Sequence, residues 1–80
     1  MVKLIENIKD KEGLIHFLEI LSNDYKQNMS EWENRDISDY LEHIAMWIED
    51  FSASPNNDIN WDNADYALIA RLFYVGKIYE

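Results

Sequence analysis

Asp58, Asn60 and Asp62 stand at alternate positions of the stretch SPNNDINWDNAD, residues 54–65, the spacing with which a calcium loop opens. Such a loop also needs a Gly at its sixth position for the sharp turn and a bidentate Glu at its twelfth. Counted from Asp58, those positions hold Asn63 and Ile69, and an isoleucine cannot bind a cation. The same residues read more simply as punctuation: Pro55, Asn56 and Asn57 make a turn, Asp62 caps the following helix, and Asp65 lies near that helix's positive end. No metal site and no cofactor is expected.

A second set carries more meaning. Asp39, Glu42, His43, Met46, Glu49 and Asp50 recur at i, i+3, i+4 and i+7 steps, so on a helix they share one stripe with four carboxylates and no cation. The helix dipole favours Asp39 in the first turn but opposes Glu49 and Asp50 in the last, by about 0.3–1 kcal/mol each. Local stability would not place them there. A docking face for a basic protein would, with an acidic rim and Met46, Trp47 or Trp32 as apolar anchors. The bland counterpart is a solvated face whose charge serves solubility. The residues expected to bind are Asp39, Glu42, Met46, Glu49 and Asp50, with Trp32 and Asp58 at the margin.

Other chemistry is poorly represented. His16 and His43 have no second His or Cys at ligand spacing, and a surface histidine stacked on an aromatic, His43 beside Trp47, is the ordinary reading. No Gly-rich phosphate loop, nucleophile elbow or Ser-His-Asp ordering occurs. A catalytic carboxyl needs a desolvating pocket, and a short chain that spends its aromatics on its own core has little left to build one. An enzyme is not expected.

Three helices must position these groups. Residues 11–27 place Leu14, Phe17, Leu18, Leu21 and Tyr25 on one face, with Asp10 as N-cap and Asn28 as terminator. The polar stretch NMSEWENRD follows and contains one large anchor, Trp32. A second helix is expected from an N-cap at Ser38 to about Phe51, with Ile37 packing back on its first turn and Tyr40, Leu41, Ile44 and Ile48 in the core. The third is expected from Asp62 to Tyr79, with Trp61 and Tyr66 as a hydrophobic staple. Its apolar residues lie nearly all round, as in a central, mostly buried helix, although residues 72–79 also have strand-prone composition. Residues 2–8 suit a short helix or an edge strand. The fold class is therefore all-α, a small three-helix bundle with a short N-terminal helix or strand, in a single domain over residues 1–80.

Composition bounds the rest. Seven basic and sixteen acidic residues give a formal charge of −9, which repels phosphate backbones and anionic lipid surfaces. Neither nucleic acid nor a membrane is an expected partner; a basic protein is. With no Cys, there is no disulfide framework or thiolate chemistry. The charged N-terminal residues MVKLIENIKDKEG do not make a signal peptide, and a cytoplasmic location is expected. Monomer and homodimer remain open, and an alternative to the docking protein is a structural module or homo-oligomer that uses its apolar third helix as an interface.

Across residues 32–50, WENRDISDYLEHIAMWIED, the chain resembles a family of small acidic bacterial proteins of unknown function. The pattern runs through Trp32-Glu33-Asn34, Tyr40-Leu41-Glu42, Trp47 and Glu49-Asp50, with Lys77-Ile78-Tyr79-Glu80 near the end. With LIHFLEIL in the first helix it covers nearly the whole chain and lends no catalytic residue. Small acidic proteins of this kind resemble immunity proteins, which bind and block a toxin, and the resemblance implies a toxin-type partner with a basic surface.

Overall fold

A computed structural model describes residues 1–54 and 59–79. The chain is all-α: 77% of the described residues are helical and no strand occurs among them. The order is α1 (Val2–Glu6), α2 (Lys11–Asn28), a 3₁₀ turn (Met29–Glu31), α3 (Ile37–Ser52), a second 3₁₀ turn (Trp61–Asn63) and α4 (Tyr66–Ile78). The N-terminal piece is thus helix, and so is the strand-prone tail, whose last bond runs from the Tyr79 N–H to the Val75 carbonyl at 2.9 Å. The chain divides into two compact units, Met1–Ile44 and Ala45–Glu80.

In the first unit, α1 is a short turn closed by Asn7, whose side-chain amide donates to the Lys3 carbonyl at 2.8 Å. Helix α2 begins where its cap and its apolar stripe agree. The Asp10 carboxylate accepts from the Gly13 N–H at 2.7 Å, while its carbonyl accepts from the Leu14 N–H at 3.2 Å. Gly13 helps this closure: a Cβ there would lie 3.1 Å from the capping oxygen. The helix does not stop before Asn28. Its side-chain amide donates to Asp24 one turn back at 2.9 Å, and the backbone tightens into the 3₁₀ turn over Met29–Glu31.

Helix α3 starts earlier than Ser38. The Asp36 carboxylate accepts from the Asp39 N–H at 2.8 Å and the Asp36 carbonyl from the Tyr40 N–H at 3.0 Å, so Asp36 is the N-cap. A carboxylate is the stronger acceptor of the two candidates and is itself stabilised by the helix's positive end, which is why it wins over the serine. Ile37 becomes the first helical residue and is 77% exposed; it does not pack back on the first turn.

The second unit contains the rest of α3, the Trp61–Asn63 turn and α4. The cap of α4 is Asp65, whose carboxylate accepts from the Leu68 N–H at 3.0 Å, and Asp62 belongs to the preceding 3₁₀ turn. Asn63 favours a turn over a helix interior, so starting the helix three residues later avoids placing it in the first turn. The expected staple is replaced by a polar link, with the Tyr66 hydroxyl donating to the Trp61 carbonyl.

The expected core does not form. No described residue is fully buried. Tyr40 and Ile44 are half-buried, while Leu41 is 43% and Ile48 40% exposed. In the first unit α2 packs chiefly against its following 3₁₀ turn. Helix α4, expected to be central and mostly buried, is exposed at every position. Its apolar residues surround it, and the short turn beside it in its own unit cannot cover a whole circumference.

Candidate functional site

In the first unit the segment after α2 is held by side chains from the end of α2 and from the segment itself. Asp24, near the end of α2, uses both carboxylate oxygens: Oδ1 accepts from the Asn28 amide and Oδ2 from the Trp32 indole N–H at 2.8 Å. From the next residue of the helix, the Tyr25 hydroxyl donates to the Arg35 carbonyl at 2.7 Å. Arg35 turns back in its own loop, donating from Nε to the Trp32 carbonyl and from Nη2 to the Ser30 carbonyl, both at 3.1 Å. These bonds fix a loop that has no regular structure of its own.

The result is an aromatic corner. Tyr25 meets Trp32 edge-on, with centroids 5.2 Å apart at 82°, the geometry that the ring quadrupoles favour. Tyr40, from the first turn of α3, stacks on Trp32 at 6.1 Å and 27°. Together with Asn34, Asp36, Ile37 and Arg35, the three rings line a cleft of about 420 Å³. The Asn34 side-chain amide and the Tyr40 hydroxyl have no partner among the described residues, while the Asp36 carboxylate caps α3 and is also a hydrogen-bond neighbour of the Asp39 carboxyl.

Beside the cleft lies the acidic start of α3. Asp39 has its carboxyl raised above the ordinary 3.8, first by the negative charge of Asp36, then by a hydrogen bond to that carboxyl, with slight desolvation and Glu42 adding to it and His43 opposing. His43 bonds through Nδ1 to the Asp39 carbonyl at 2.7 Å, and since a carbonyl only accepts, Nδ1 carries the hydrogen. Its bond is therefore to backbone and not the ring stack expected for it. Among the described residues no Lys or Arg forms an ion pair with a carboxylate.

The predicted docking residues fall as follows. Trp32, Asp39 and Glu42 belong to the first unit, Trp32 half-buried and the two acids exposed. Met46, Glu49 and Asp50 are on the half of α3 in the second unit, all exposed, Met46 at 54%. Asp58 lies outside the described residues. Also in the second unit, Trp47 stacks on Phe51 at 4.6 Å and 18° and tilts against Trp61 at 6.1 Å and 49°. Its ring is thus committed within its own unit.

Asp24, Tyr25, Asn34, Arg35 and Asp36 were not singled out as site residues by sequence reasoning. The available signal was Trp32 itself: a tryptophan in a polar loop needs a partner for its N–H, and Asp24 lies on the apolar-bordered end of the preceding helix at a distance a turn can close.

Residues 10–80 match the profile described as Family of unknown function (DUF7660). The chain belongs to this family. No curated protein and no solved structure matches it. Membership in the DUF7660 family assigns no role to any residue, so the functional argument rests on the geometry. Among the described residues no helix is long and apolar enough to cross a membrane.

Proposed function

We propose that this chain is a noncatalytic interaction protein that binds a basic protein partner through carboxylates exposed on α3, in the manner of an inhibitor or immunity protein that masks a toxin's basic surface. The observation that carries this reading is the uncompensated acid at the start of α3. Asp36, Asp39 and Glu42 act on one another strongly enough to raise the Asp39 carboxyl, and none has a Lys or Arg partner among the described residues. A basic partner would relieve that repulsion on binding, which is a gain specific to the complex. Glu49 and Asp50, exposed in the last turn of α3 where the dipole opposes them, extend the argument to the second unit.

The test is retention of proteins from the source organism's own lysate by the tagged chain at low salt, in parallel with the double variant Glu42→Lys, Glu49→Lys. The expected result is a basic protein held by the native chain and lost by the variant. Equal retention by both would remove the acidic face from the account.

A second reading is supported by α4. Leu68, Ile69, Leu72, Phe73 and Ile78 are all exposed, and an apolar surface of that kind marks an interface more often than a solvated face. On that reading a second copy covers α4. Light scattering after size exclusion separates the two: a stable dimer assigns α4 to self-association, and a monomer at tens of micromolar removes it.

A further inference from the structure

Resting on the reading of a basic protein partner, we propose that the aromatic cleft of the first unit takes the guanidinium of an arginine side chain from that partner. The walls suit a flat cation. Trp32 and Tyr40 present stacked aromatic surface, and the bond from the Trp32 indole N–H to Asp24 sets a full negative charge against the ring. A cation lying over such a ring is attracted by its quadrupole. The cleft offers acceptors: the Asn34 carbonyl oxygen and the Tyr40 hydroxyl, which have no partner among the described residues, and the charged Asp36 carboxylate, which also caps α3. A ligand that brings several donors in one plane satisfies them together, and guanidinium has five.

Arg35 is the one cation on the wall, and it narrows the choice. Its Nε and Nη2 are already spent on the Trp32 and Ser30 carbonyls, so it serves as a brace of the loop and offers little to an anion. Its charge would oppose a compact ammonium, which stays strongly hydrated. A guanidinium is delocalised, weakly hydrated and able to stack beside another of its kind, so the cleft selects arginine over lysine. Beyond the cleft Asp39 and Glu42 are acidic, so the field at its mouth also favours a cation, with Arg35 and His43 as the opposing groups.

The experiment is a titration of the ¹⁵N-labelled full chain followed by its indole N–H resonances. The chain has three Trp, and the Trp47→Phe and Trp61→Phe variants assign the Trp32 signal by elimination. The probes are N-acetyl-arginine amide, N-acetyl-lysine amide, N-acetyl-leucine amide and N-acetyl-aspartate amide. The expected result is a saturable shift of the Trp32 indole with the arginine probe, a weaker one with lysine and none with the other two. Asp36→Asn keeps a side chain able to cap α3 and removes its charge; it is expected to weaken arginine binding about two- to fivefold. Tyr40→Leu removes the stacked ring and is expected to weaken it further.

Equal shifts with lysine and arginine would overturn the proposal, since they would report only an acidic field. A shift with the aspartate probe would overturn it in favour of an anion site centred on Arg35, and no shift with any probe would leave no cleft ligand at all. Failure here is distinct from failure of the docking face. Loss of partner retention in the Glu42→Lys, Glu49→Lys variant with an unmoved Trp32 signal would retain the face and reject the cleft. The opposite pair of results would retain the cleft and reject the face.

Discussion

Asp24 offers the sharpest test of how the first unit is held together. Replacing it with alanine removes two acceptors at once: the one for the Trp32 indole at 2.8 Å and the one for the Asn28 amide at 2.9 Å. A hydrogen bond to a charged group contributes about 1.5–3 kcal/mol, and because both Asp24 and Trp32 are only half-buried the lower end applies to the indole bond. The Asn28 amide is exposed and regains water, so its loss costs about 0.5 kcal/mol. The total for Asp24→Ala is about 2 kcal/mol, which in a chain this small lowers Tm by roughly 8–16 °C. Asp24→Asn keeps one oxygen for the indole and should cost about half as much, and Asn28→Ala about a quarter. Urea denaturation followed by tryptophan fluorescence gives the ranking, and the Trp32 indole resonance should move in Asp24→Ala. An Asp24→Ala chain within about 0.5 kcal/mol of the native one, with that resonance unmoved, would refute the claim that Asp24 anchors the corner.

Further outcomes follow from the caps and the charges. Asp36→Ala should cost about 1 kcal/mol of stability while Ser38→Ala costs almost nothing, measured by urea denaturation; the reverse order would restore Ser38 as the cap. Asp39 gives a pH dependence whose sign is fixed by its raised pKa: the folded chain holds that proton more tightly than the unfolded one, so ionised Asp39 opposes folding at neutral pH. Asp39→Asn should therefore be more stable than the native chain at neutral pH, with the difference vanishing below 3.8, where the native carboxyl is protonated in both states; thermal melts across that range would show it. Asp65→Ala should shorten α4 at its start and lower helicity by circular dichroism, while Asp62→Ala should leave it unchanged.

Element type was legible for the three long helices and open between helix and strand at residues 2–8 and 72–79, and element starts were legible only where one cap decided the position. Asp10 stands directly before the apolar stripe of α2, and the helix begins there. Ahead of α3 and α4 two candidates compete, Asp36 with Ser38 and Asp62 with Asp65, and the choice depends on acceptor strength and on Asn63, which a stripe of apolar residues does not reveal. Burial was the least legible quantity. Periodicity says which face of α3 is apolar, as with Leu41 and Ile48, and says nothing about whether another helix lies along it. At the site, Trp32 stood out as a large residue in a polar loop. Its partners did not, because Asp24 and Tyr25 come from the previous helix, and Arg35 bonds to backbone carbonyls, which every residue possesses.

The most direct test of the docking account is the association rate of the captured basic partner with this chain, measured by stopped-flow fluorescence across ionic strength. Steering by the α3 carboxylates predicts a rate that falls steeply as salt rises, and a slower, nearly salt-independent rate for the Glu42→Lys, Glu49→Lys variant. Native and variant rates that coincide and ignore salt would contradict it.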